Sequence, residues 1–99
     1  MKLEITPTDV GYRLEGELDM ATADDLGELL KETERHGDPV VLDFEGISFM
    51  DSSGLRVLLE AASSEDVGTS VVIVHPTDQV RRVLDISIPG GAPGLEVRN

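Results

Sequence analysis

The residues of this chain best suited to do chemistry form one run, Phe49-Met50-Asp51-Ser52-Ser53-Gly54-Leu55. It links a short apolar block, Val40-Val41-Leu42-Asp43-Phe44, to a segment whose apolar residues recur with a helical period. A hydroxyl in the first turn of a helix that begins at the rim of a sheet faces solvent. The free N–H groups there, equivalent to about half a positive charge, favour an anion. Ser53 is therefore suited to become a phosphoserine. Gly54 has no Cβ, so a second protein's backbone could approach the hydroxyl closely. The same residues also describe an ordinary helix start, because an Asp or Ser ahead of an apolar helical pattern supplies an oxygen for the first N–H groups. Composition and spacing leave both readings open.

Other chemistries lack their residues. Cysteine is absent, which excludes a disulfide framework, a thiolate metal site and a cysteine nucleophile. Ser53 sits in no Gly-x-Ser-x-Gly elbow, and the two histidines, His36 at a helix end and His75 after a strand, read as structural. No catalytic residue is assigned, and no enzyme activity is expected. The glycines at 11, 16, 37, 46, 54 and 68 match no phosphate-cradling pattern and no lysine accompanies them, so no nucleotide or other cofactor is expected on this chain. Asp19, Asp43 and Asp51 could converge on a magnesium ion, but three separated carboxylates are no ligand motif, and no metal site is assigned.

Charge narrows the partners. Twenty acidic residues against eight basic ones give a formal net charge of −12, a field that repels nucleic acid and acidic membranes. Aromatic residues make up 3%, too few for a base-stacking platform. No apolar run approaches the roughly 18 residues of a spanning helix, so cytoplasm is the expected address. The acidic surface reads equally as a solubility device or as an attractor for a basic partner, and Arg81 and Arg82 read as a solvated helix face.

Length and periodicity define the elements that must position the run. Ninety-nine residues allow one domain, 1–99. Leu3 and Ile5, then Tyr12, Leu14 and Leu18, alternate with polar residues around a Pro7–Gly11 turn, which predicts a hairpin. Leu26, Leu29, Leu30 and Thr33 predict a helix with a capping-box-like start at Thr22 and Asp25, ended near His36 by Gly37 and Pro39. Val40–Phe44 reads as a central strand, and Glu45-Gly46-Ile47-Ser48 as the turn after it. Leu55, Leu58, Leu59 and Ala62 then mark a second helix, closed by Ser63–Asp66 and Gly68. Val71–Val74 is a second buried strand. Thr77 can cap a third helix carrying Val80, Val83 and Leu84, extended a turn by Ile86, and Leu95–Arg98 can add an edge strand after a loop. The order ββαβαβα(β) predicts an α/β fold: a mixed, mostly parallel sheet of four to five strands with three or more helices.

The whole chain resembles a STAS domain of the anti-sigma factor antagonist family. The resemblance rests on Gly16-Glu17-Leu18-Asp19 with Ala21-Thr22-Ala23, on Val40–Phe44, on Ile47–Leu55 and on Val80-Arg81-Arg82-Val83-Leu84. The Asp-Ser-Ser-Gly motif is the specific part. The resemblance implies that a partner anti-sigma factor, itself a GHKL-type serine kinase, phosphorylates Ser53, that a serine phosphatase reverses this, and that Ser52 is a cap. It also implies a partner-binding surface of Asp19, Asp51, Ser52, Ser53, Gly54, Leu55 and Arg56. Structural alternatives stand beside three of the acids: Asp19 closing a strand, Asp51 capping the helix, Asp43 pairing with a backbone amide. Arg56 departs from the small or aliphatic residue usual there, and Ile86–Gly91 departs from the usual end of the third helix. Similar domains serve as solo subunits of lipid-transport ATPases or as components of stress-sensing scaffolds, which is the alternative function.

Overall fold

The computed structural model describes residues 3–32, 39–63 and 70–98, apart from the Ser63 side chain. Strand β1 (Leu3–Pro7) and β2 (Gly11–Leu18) form the expected antiparallel hairpin, with Ile5 opposite Leu14. Its turn is tied by Thr8, whose N–H donates to the Gly11 carbonyl at 2.9 Å and whose Oγ1 accepts from the Gly11 N–H at 3.1 Å. Helix α1 (Ala23–Glu32), β3 (Val40–Met50), α2 (Ser52–Ser63), β4 (Val71–Val74), α3 (Asp78–Ser87) and β5 (Leu95–Val97) follow. The five strands lie in the order β1-β2-β3-β4-β5, with β2 to β5 mutually parallel, so the mixed, mostly parallel sheet is present and the edge strand at Leu95 forms. The expected helix end near His36, with Thr33 and Gly37, lies outside the described residues, as does the closing segment 64–68.

The core follows the apolar stripes. Leu14 and Leu18 of β2, Leu26 and Leu30 of α1, Leu42 and Phe44 of β3, Leu58 of α2, Ile73 of β4 and Val80 of α3 belong to one buried cluster. Burying each such side chain contributes roughly 1.5–3 kcal/mol relative to leaving it in water. Helices α1 and α2 meet where Gly27 faces Val57.

Residues 45–48 are not a turn. Strand β3 runs through them to Met50, and two irregularities in its pairing with β2 explain the misreading. Arg13 pairs with Asp43 and Glu15 with Gly46, then Gly16 pairs with Ile47 and Glu17 with Phe49, so β3 spends one extra residue at each place. Such bulges break the alternation of faces. Buried residues on β3 accordingly step by two from Val40 to Phe44, then by three through Ile47 to Met50. Opposite this second bulge, Gly16 of β2 holds φ at 114°, a conformation that favours glycine, and the extra residue, Ser48, donates its hydroxyl to the Gly16 carbonyl at 3.1 Å.

Candidate functional site

The two central parallel strands end together. Leu18 of β2 and Met50 of β3 are paired in register, and the N–H of Asp51 still donates to the Leu18 carbonyl at 3.2 Å. The next residue on each strand, Asp19 and Asp51, therefore leaves the sheet beside the other. In an open α/β sheet this carboxyl-end rim is where ligands and partners are met. Each carboxylate also organises its own backbone. Asp19 Oδ1 accepts from the N–H groups of Ala21 at 2.9 Å and Thr22 at 3.2 Å, while Asp51 Oδ1 accepts from Ser53 at 2.8 Å and Gly54 at 3.4 Å.

The oxygen that caps α2 thus belongs to Asp51. Ser52, expected as the cap, is instead the first helical residue and is exposed. A carboxylate accepts more strongly than a hydroxyl and, one residue earlier, reaches the N–H groups of the second and third helical positions. Ser53 follows, half-buried. Its Oγ makes no hydrogen bond among the described residues, and no buried side-chain oxygen there lacks a partner, so solvent reaches the hydroxyl. Gly54 corrects the sequence expectation. It is buried against β2, and its missing Cβ makes room for Leu18 rather than for an incoming protein. Leu55 is 6% exposed and faces the core, whereas Arg56 is exposed and pairs with Glu60 at 3.5 Å. Of the seven candidate contact residues, Asp19, Asp51, Ser52, Ser53 and Arg56 have surface in this structure, and Gly54 and Leu55 support them from below.

Thr22 does not form the capping box read from its spacing to Asp25. Its buried hydroxyl donates to the Glu17 carbonyl at 2.8 Å and accepts from the Asp19 N–H at 3.0 Å, stapling the end of β2 to the start of α1. Asp43 does pair with a backbone amide, accepting from Glu45 at 3.0 Å, and lies 3.3 Å from His75 Nδ1. It groups with Glu45 and His75 rather than with Asp19 and Asp51, so the three aspartates do not converge on one ion. His75 is exposed at the end of β4 and holds φ at 53°. Arg82 is exposed and Arg81 half-buried.

Some of the site had no signal in the sequence. Met20, 80% exposed, directly follows Asp19, and Phe49, 40% exposed, comes two residues before Asp51; that exposure is not announced by either residue type. Gln79 and Thr77 reach the same corner from α3, through bonds between residues some thirty positions apart that no local pattern announces.

A family profile described as the STAS domain matches residues 1–88. The chain belongs to the STAS domain family. Among solved structures, it is similar to that of the anti-sigma factor antagonist SpoIIAA in its unphosphorylated form, with a TM-score of 0.63 and 21% identity over 98% of this chain and 87% of that one. At that identity the likeness is one of fold, and it extends through β5, beyond the stretch the STAS profile covers. No helix among the described residues of this STAS domain is long and apolar enough to cross a membrane.

Proposed function

We propose that this STAS domain is an anti-sigma factor antagonist whose grip on its partner is switched by phosphorylation of Ser53. The observation that carries the reading is the Ser53 hydroxyl, open to solvent in the first turn of α2 beside the carboxylates of Asp51 and Asp19. Membership of the STAS family and the likeness in fold to SpoIIAA support it. Unmodified, the corner made by Asp19, Asp51, Ser52, Ser53 and Arg56 docks on an anti-sigma factor of the GHKL kinase type, and the sigma factor is released. The kinase then transfers the γ-phosphoryl group of ATP to Ser53 Oγ. The serine proton passes to a base on the kinase, and ADP leaves. A serine phosphatase restores the hydroxyl by hydrolysis.

Electrostatics makes the modification a release signal. A phosphoserine adds about −1.5 to −2 charges beside Asp51, in a chain already at −12. An interface that must bury an unpaired dianion loses several kcal/mol. At 1.4 kcal/mol per decade, a loss of about 3–4 kcal/mol weakens binding some hundred- to thousandfold. The fold need not change, because the N-terminus of α2 favours the added anion and the Asp51 cap stays in place.

The test is to incubate the protein with its kinase and ATP and to locate the phosphate by mass spectrometry. The expected site is Ser53, with no modification of Ser53→Ala. Phosphate on Ser52 alone, or on Ser53→Ala as fully as on wild type, overturns the assignment.

A further inference from the structure

Strand β4 is too short to complete the sheet beside the functional corner. Its pairing with β3 ends at Val74 opposite Asp43, yet β3 continues to Met50. On the β2 side this extension keeps strand partners as far as Leu18 opposite Met50. On the other side the start of α3 takes over. The Gln79 side-chain amide does both halves of a strand partner's work, Oε1 accepting from the Met50 N–H at 2.8 Å and Nε2 donating to the Met50 carbonyl at 2.9 Å. Thr77, at the N-cap position of α3, makes no cap bond with its side chain and instead donates its hydroxyl to the Ile47 carbonyl at 3.1 Å. A primary amide carries one acceptor and two donors in a plane, like a peptide group, and few other side chains can satisfy both backbone groups of one residue.

Both backbone groups of Met50 are thus held by Gln79, while on the other side of the strand the next residue, Asp51, ties its N–H to the Leu18 carbonyl. Met50 is the last residue before Asp51, and Asp51 sets the first turn of α2 through the Ser53 N–H. We propose that Gln79 is a positioning residue for the Ser53 corner: its amide fixes Met50, which fixes the Asp51 cap, which fixes where the Ser53 hydroxyl points. Its consequence for phosphoryl transfer rests on the proposed function, whereas the clamp itself exists without any partner. A small misplacement of a reacting group lowers the rate of a transfer more than it lowers binding. The docking corner of the proposed function is made by Asp19, Asp51, Ser52, Ser53 and Arg56, and Gln79 is not among them.

The experiment compares Gln79→Met, close in length but with neither polar group, and Gln79→Glu, which keeps an acceptor and loses the donor. In the isolated chain, amide hydrogen exchange is followed by NMR, with the Ile73 amide of the sheet interior as the internal reference. Met50 exchange is expected to rise about tenfold or more in Gln79→Met relative to Ile73, with smaller rises at Ser53 and Gly54, and Gln79→Glu is expected to fall between. With kinase and ATP, kcat for phosphorylation of Ser53 is expected to fall about tenfold in Gln79→Met while KM changes less than about threefold, and Gln79→Glu is expected to recover part of kcat. Unchanged exchange at Met50 overturns the clamp. Faster exchange at Met50 with unchanged kcat, or a loss seen only in KM, overturns the positioning role. Wild-type protein that takes no phosphate at Ser53 overturns the proposed function and the kinetic half of this inference, and the exchange measurement still decides the clamp.

Discussion

Gly54 and Leu18 are in contact so close that a Cβ at position 54 would stand 2.6 Å from the Leu18 Cγ and 2.9 Å from the Leu18 carbonyl oxygen. The first turn of α2 therefore rests directly on the end of β2. Replacing Gly54 with Ala gains up to about 1 kcal/mol of helix propensity. It also forces apart two elements that cannot shift freely, since the Leu18 carbonyl is held by the Asp51 N–H. Overpacking of this kind costs about 1–3 kcal/mol. Gly54→Ala is expected to lower the urea midpoint by the equivalent of about 1–2 kcal/mol with an unchanged slope, and an unchanged or higher midpoint would show that the contact is not tight.

Charge at Ser53, rather than the loss of its hydroxyl, is expected to control binding. Measured by calorimetry against the anti-sigma factor, Ser53→Asp should bind at least about tenfold more weakly than Ser53→Ala, with both variants melting close to wild type. Equal affinities would remove charge as the switch.

Asp51 has a structural and an electrostatic role, and two substitutions separate them. Ala removes the cap on the Ser53 N–H and is expected to cost about 0.5–2 kcal/mol of stability. Asn caps about as well as Asp, so Asp51→Asn should fold with near-wild-type stability. If the carboxylate charge contacts the partner, Asp51→Asn alone should still weaken binding; wild-type affinity in that variant would confine Asp51 to capping.

Thr22→Val keeps the side chain's shape and removes the hydroxyl that serves the Glu17 carbonyl and the Asp19 N–H. Losing these two part-buried hydrogen bonds is expected to cost about 1–3 kcal/mol, which thermal unfolding would register. A variant as stable as wild type would mean that water replaces the hydroxyl at no cost.

Wherever side chains keep a regular period, the sequence carries the architecture. The Leu3/Ile5 and Tyr12/Leu14/Leu18 alternation, the Leu26/Leu30 and Leu55/Leu58 stripes and the apolar Val71–Val74 block correspond to β1, β2, α1, α2 and β4. The reading fails at Glu45–Ser48 because each bulge adds a residue to one strand only and breaks the period of two there, so the segment no longer looks like a strand. It fails also for the oxygens at helix starts. Thr22 and Thr77 have cap-like spacing, but their hydroxyls bond to carbonyls of β2 and β3, because those carbonyls come within reach once the sheet has formed.

For the corner itself, the amino-acid order alone determined that a serine pair behind an aspartate begins an amphipathic helix after a buried strand, since capping and apolar spacing are local. Tertiary structure decided that Asp51 is the residue that caps, that Gly54 turns inward to Leu18, that Asp19 leaves the sheet beside Asp51, and that Gln79 completes the edge β4 leaves open. Each of these depends on the register between strands and on helices packed across them. Register is a property of pairs of distant segments, so no window of neighbouring residues contains it.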